Sequence, residues 1–296
     1  MDSVYQLVVD NPTDTFLLTD LNNVVARFLT TNLDTSLFYI NALYKLSSDI
    51  DFARGLAIAS NLRGEIFERQ GKMDLAESIY KDALAFAKRS GNSQAILSAY
   101  NNLSIVYSLT GFMELSIENL LEALKIAEEI NNERMTAILN NNLGLRYYEL
   151  KQHKNSLPYY QKARQSNLKR EDYKRLSLNL GNIGLAYYAM KEPDSAYHYF
   201  TKALALKKDY GDQYDVELAL FHLAGHFLMI EELDSAEYYL NESIRIAEDI
   251  NDVYGIASLK IMEANLASKK NQYQRAVSLI NTAESLATEN NFRQTL

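Results

Sequence analysis

The chain has 296 residues, 47% hydrophobic and 23% charged, the composition of a folded protein rather than a disordered one. A formal net charge of −8 argues against a nucleic-acid-binding surface, and the absence of cysteine excludes disulfides, thiolate metal sites and cysteine nucleophiles. Three prolines and eleven glycines leave few strand-and-turn signals, so the chain reads as all-helical.

In chain order, the opening MDSVYQLVVDNPTD lacks a basic start followed by an apolar core, so no signal peptide is expected there. Residues 14–51 form a degenerate first unit, in which Asp34-Thr35-Ser36 echoes Asp194-Ser195-Ala196 and Asp234-Ser235-Ala236. From residue 52 the chain repeats itself every 40 residues, giving six units: 52–91, 92–131, 132–171, 172–211, 212–251 and 252–291. Three columns of this frame hold only Gly, Ala or Ser. They are Gly64, Ser104, Gly144, Gly184, Ala224 and Ala264; Ala76, Ser116, Ser156, Ala196, Ala236 and Ala276; and Ala83, Ala123, Ala163, Ala203, Ser243 and Ala283.

Large residues recur in the same frame. One column holds Phe67, Tyr107, Tyr147, Tyr187 and Phe227, failing at Ala267, and another holds Tyr80, Leu120, Tyr160, Phe200, Leu240 and Ile280. Small residues let two helices approach, and large ones fill the space beside them. Units end at Gly91, Asn131, Glu171, Gly211, Asn251 and Asn291. All but Glu171 suit the left-handed conformation that terminates helices. Asn92, Asn132, Asp172, Asp212 and Asp252 follow as N-caps. Each unit is thus a helix, a turn near Gly71 or Gly111 in the first two, a second helix and a capped turn. The most apolar stretch, Leu218–Ile230, has 13 residues, too few to span a bilayer, and reads as a buried helix.

The pattern N-N-L-G-x-x-Y…A-x-x-x-Y-x-x-A, as in Asn141–Tyr147 with Ser156, Tyr160 and Ala163, resembles the tetratricopeptide repeat. The period is longer than usual for that family and lacks its terminal proline, as in a long-period subgroup. The resemblance implies one right-handed α-solenoid of antiparallel helix pairs over residues 1–296. It also implies a non-enzymatic scaffold for a protein or peptide, without cofactor or metal. The weak first unit resembles the start of repeat sensor regions in bacterial histidine kinases and transcriptional regulators. That setting would make the chain extracytoplasmic; a full-length chain would be cytoplasmic, as in peptide-pheromone receptors and phosphatase regulators. Phe292–Leu296 sit where another unit would begin, so a fragment of a longer protein is expected, and a homodimer is compatible with the pattern.

In this family the first helix of each unit lines a concave groove. Carried over by column, the groove holds Asn61, Asn101, Asn141, Gly181, Phe221 and Ile261, beside Leu62, Asn102, Asn142, Asn182, His222 and Met262. Further along each helix come Ser108, Tyr148, Tyr188 and Leu228, beside Leu109, Glu149, Ala189 and Met229. Asparagine amides can pair with peptide bonds, and the apolar residues of later units can anchor side chains. The competing reading is that the asparagines bond between helices and that the apolar patch is covered by the protein itself. Asn140 is read as packing, because Tyr100, Leu180 and Leu220 share its column. The cations of a chaperone-tail carboxylate clamp are missing from the groove.

Other features have bland readings. His222 and His226 have the i, i+4 spacing of zinc ligands but no third ligand, and read as packing histidines. Gly181-Asn182-Ile183-Gly184 lies within a helix and is not a phosphate loop. Lys169, Arg170, Lys174 and Arg175 read as a solvated turn. Glu128-Glu129 and Glu231-Glu232 fall on helix ends without an acid–base role.

Overall fold

The structure, a computed structural model, describes residues 10–11, 13–28 and 33–290, except the side chains of residues 22–24 and 26–28. Asn291 and Phe292–Leu296, singled out in the sequence, lie outside the described residues, as do residues 1–9 and 12 of the opening segment. Among the described residues there are fourteen helices: α1 Thr15–Phe28, α2 Leu33–Asp49, α3 Ala53–Arg69, α4 Met73–Ser90, α5 Ser93–Leu109, α6 Met113–Glu129 and α7 Glu133–Glu149. They continue as α8 His153–Lys169, α9 Tyr173–Ala189, α10 Pro193–Tyr210, α11 Gln213–Met229, α12 Leu233–Asp249, α13 Val253–Lys269 and α14 Tyr273–Glu289. None is long and apolar enough to cross a membrane. The chain divides within α7 into two compact units, Met1–Arg146 and Tyr147–Leu296. In each, consecutive helices pair in antiparallel fashion and first helices touch the first helix of the next pair, making an all-α solenoid.

The backbone repeat is half the sequence repeat. Asp51, Gly71, Gly91, Gly111, Asn131, Lys151, Glu171, Lys191, Glu231, Asn251 and Asn271 all have φ between 52° and 86°, spaced by 20 residues except for one gap at position 211. Helices such as α3 and α5 have 17 residues, and a three-residue turn follows. The left-handed residue lets the next N–H turn back onto the helix it leaves: Lys72 N–H donates to the Phe67 carbonyl, and Gln152 to Tyr147, at 2.9 Å each. This bond closes the helix even where the residue is Lys or Glu.

Two expectations about the turns change places. Glu171, the sequence exception, is left-handed at φ 54°. Gly211, which fitted the rule, is extended at φ −92° and ψ 179°. Glycine is needed at 211 for space: a Cβ there would stand 2.7 Å from the Lys207 carbonyl oxygen. The N-caps form as expected. Asn92, Asn132, Asp172, Asp212 and Asp252 accept from the backbone N–H of Ala95, Met135, Arg175, Asp215 and Gly255 at 2.8–3.1 Å.

The small and large columns pack as their spacing requires. A Cβ on Gly64 would sit 2.5 Å from the Tyr80 ring, and one on Gly184 2.5 Å from the Phe200 ring. Tyr80, Leu120, Tyr160, Phe200 and Leu240 are at most 1% exposed, whereas Ile280 is 48% exposed on the last described helix. In the second compact unit, aromatics of first helices stack on second-helix rings twelve residues on. Tyr147–Tyr159, Tyr187–Tyr199 and Phe227–Tyr239 have centroids 5.2–5.5 Å apart and planes within 11°.

Candidate functional site

The pocket in the second unit begins with one residue of α11. The column of Gly225 holds Glu65, Ile105, Leu145, Leu185 and Asn265 elsewhere, so only here is the side chain missing. Glycine inside a helix costs about 1 kcal/mol relative to alanine, so its presence marks a place where volume matters. The nearest atom to a Cβ built on Gly225 is Met262 Cε at 3.5 Å. The Tyr188 hydroxyl, 3.5 Å away, donates to the Gly225 carbonyl.

Around this gap α9, α11 and α13 form a concave pocket of about 560 Å³. It gathers six residues predicted from the sequence: Tyr188, Phe221, Leu228, Met229, Ile261 and Met262. Leu228 is nearly buried and forms floor, and the others are half-buried walls. The volume falls within the range of small-ligand and peptide-anchor sites. The thioethers of Met229 and Met262 make the walls adaptable to different bulky apolar groups. Gly225, Ser258, Asn265, Ser268 and Lys269 complete the lining and were not read from the sequence. Ser258, Ile261, Met262, Asn265 and Ser268 lie three or four residues apart along one face of α13, so extending the groove columns by a turn would have found them. Lys269 is held at the rim by Glu231, at 2.8 Å.

The asparagine series divides. In the first unit Asn102 donates weakly to Asn61, 3.5 Å away, and both line a polar pocket of about 490 Å³ with Arg54, Gln94 and Ser98. Asn101 has a buried side-chain oxygen without a hydrogen-bond partner. Asn141, Asn142, Asn182 and Tyr148 are half-buried and line neither pocket. Tyr148 packs on the His153 ring at 4.8 Å, and burial, with Tyr188 nearby, pushes its hydroxyl pKa up. Asn140 is 2% exposed and donates to the Thr136 carbonyl of its own helix, at 2.8 Å.

The remaining features are packing and surface. Burial pushes the His222 imidazole down to about pKa 3, with the Lys207 charge adding to the shift. His226 stacks on Tyr197, centroids 5.5 Å apart, and burial lowers its pKa too. No cluster of three or more metal-ligating side chains occurs among the described residues. In the basic turn, Arg175 pairs with Asp172 at 2.7 Å and Lys174 with Asp212 at 3.3 Å. Burial disfavours the Asp172 charge, but its bonds to Arg175 outweigh this and hold its carboxyl below the usual range.

The sequence matches the profile of the tetratricopeptide repeat over residues 55–129, 95–169 and 175–249, more than half of the chain. No curated protein matches it. A solved signal transduction ATPase with numerous domains and a tetratricopeptide repeat sensor, from Pyrococcus horikoshii, superposes with TM-score 0.77 at 15% identity, covering 98% of this chain and 47% of that one. The apo form of RapI gives TM-score 0.74 at 12% identity, covering 93% and 98%. A Rap protein complexed with competence and sporulation factor gives 0.63 at 14%, covering 97% and 96%. At these identities the likeness is one of fold.

Proposed function

The chain belongs to the tetratricopeptide repeat family, a fold of protein-interaction scaffolds, and on that premise we propose that it binds an extended peptide or protein segment without catalysing a reaction. The observation that carries this reading is the convergence of Tyr188, Phe221, Leu228, Met229, Ile261 and Met262 around the gap at Gly225. A bulky apolar side chain of the partner fills the gap and supplies most of the affinity. The polar rim, with Ser258, Asn265 and the Tyr188 hydroxyl, holds the partner's backbone. Within the first unit Asn61, Asn101, Asn102, Asn141 and Asn142 offer amides to peptide groups, and within the second Asn182 and Tyr148 offer an amide and a hydroxyl.

The biological setting we favour is the sensory or interaction region of a bacterial transcriptional regulator or histidine kinase. The likeness to a repeat sensor inside a larger signalling ATPase supports it. The second reading, a cytoplasmic peptide receptor of the phosphatase-regulator type, is supported by the likeness to Rap proteins over nearly their whole length. Both use the same surface, and neither requires this region to contact nucleic acid.

Selection of random 12-residue peptides displayed on phage tests the shared claim. Enriched peptides are expected to share a bulky apolar residue and to lose at least tenfold in affinity for Phe221→Ala. Changing Asn101, Asn141 and Asn142 to Ala should weaken binding while leaving thermal stability equal or slightly raised, because Ala is the better helix former. Failure to enrich any peptide sinks the proposal, and a fall in Tm of the triple variant assigns the asparagines to helix packing.

A further inference from the structure

Four buried polar side chains gather around the first half of α11, three of them at positions that are mostly alanine in the other units. The column of Lys207 is Ala87, Ala127, Ala247 and Ala287 in four other units, with Asn167 in the fifth. The column of Glu217 holds Ala57, Leu97, Ala137, Ser177 and Ala257, and Ser243 replaces the alanines of its own column. Asp215 stands in a mixed column with Gly55, Ala95, Met135, Arg175 and Gly255. All four are buried, with Lys207 3%, Asp215 8%, Glu217 4% and Ser243 0% exposed. They meet at the joint between α10 and α11 where Gly211 departs from the left-handed turn.

The hydrogen bonds between α11 and α12 are informative. Ser243 Oγ lies 2.9 Å from Glu217 Oε1 and 3.0 Å from the Glu217 carbonyl oxygen. A serine hydroxyl has one proton to donate, so it cannot serve both acceptors fully. If the carboxyl is protonated the conflict disappears: Glu217 O–H donates to Ser243 Oγ, and Ser243 O–H donates to the Glu217 carbonyl. If the carboxyl is ionised, the two oxygens compete for one proton. Phe221 follows Glu217 by one helical turn and Gly225 by two, so α11 carries both this pair and the pocket wall.

We propose that Glu217 and Ser243 form a protonation-dependent latch between α11 and α12 that sets how the pocket wall is seated, so that acid and base forms of the protein differ at Phe221. The consequence for binding rests on the reading of this pocket as a peptide anchor. Several charged groups face the latch. Lys207 on α10 favours the ionised form, and Asp252, the N-cap of α13, favours the protonated one. Asp215 and Asp212 offset the Lys207 charge, and Lys174 on α9 pairs with both from outside. Burial is the largest influence and raises the Glu217 pKa above the ordinary carboxylate range, the Ser243 bond opposing it. A carboxyl raised on folding contributes its stability fully below the unfolded value, about 4.3, and loses it as pH rises through the folded value.

The chain contains no tryptophan, so Phe221→Trp places a single reporter in the pocket. Its emission is expected to titrate with a midpoint above about pH 4.3. In the F221W/E217Q protein the emission should stay at the acid-form value, because the Gln amide donates to Ser243 Oγ as the protonated carboxyl does. In the Phe221-containing protein, the Tm of E217Q relative to the unsubstituted chain should rise with pH by about 1–2 °C per kcal/mol of latch stability lost. A flat F221W titration, the same titration in F221W/E217Q, or an E217Q deficit equal at every pH would overturn the latch. None of these readouts uses a ligand. The latch can therefore fail while peptide binding stands, and peptide binding can fail while the latch stands.

Discussion

Two joints in the second compact unit share one register and differ inside. At the joint between α12 and α13, Asn251 is left-handed at φ 54°, and Asp252 N–H donates to the Ala247 carbonyl at 2.9 Å. Its interior is alanine: Ala247, Ala257 and Ala283 are at most 1% exposed. At the joint between α10 and α11, Gly211 is extended, and the matching positions are Lys207, Glu217 and Ser243. The comparison separates two jobs that a repeat performs. Helix length and small residues keep the register, and what fills the interface is free to change. Alanine gives close, indifferent contact, whereas buried ionisable groups contribute little net stability but make the interface respond to charge.

The largest way to sharpen this contrast is to put a charge where alanine stands. Ala247→Lys lacks the carboxylates that surround Lys207 and should lose about 3–5 kcal/mol in denaturant unfolding. The reverse change to apolar residues of similar volume, Lys207→Met with Asp215→Leu, Glu217→Leu and Ser243→Ala, should leave stability unchanged or raise it by about 1–4 kcal/mol. A large loss from that fourfold replacement would mean the charges hold the joint together, and the contrast would collapse. The turns give a smaller test. Gly211→Ala should cost about 1–3 kcal/mol by crowding the Lys207 carbonyl. Glu171→Gly should gain about 0.5–1 kcal/mol by relieving a left-handed side chain. Gly225→Ala, which has room for its methyl, should gain a similar amount, about 0.5–1 kcal/mol, in thermal unfolding.

Much of this architecture can be read from the sequence because the fold is periodic and each residue type is required again 40 positions later. Gly64 and Gly184 are legible as contacts since the ring opposite recurs in step with them. The five N-caps are legible because their chemistry is local. The turn at Gly211 is not, since glycine serves both a left-handed turn and a close approach, and only the structure distinguishes them. Glu171 is misread for the opposite reason: the hydrogen bonds closing the helix impose a conformation its side chain disfavours. Six residues of the pocket are legible as groove columns, but Gly225 is noticed only as a departure from its column. The same holds for Lys207, Glu217 and Ser243. Following what stays constant finds the scaffold, and following what breaks the column finds the places where the scaffold has been adapted.

The central claim is that the gap at Gly225 is kept open for a partner's side chain. Gly225→Leu restores the side chain found at the matching Leu145 and Leu185 positions and fills the gap. With peptides selected against the unsubstituted chain, calorimetric titration of Gly225→Leu should show affinity reduced at least tenfold, with a Tm no lower than that of the parent. Undiminished binding of the same peptides to a folded Gly225→Leu protein would contradict the account.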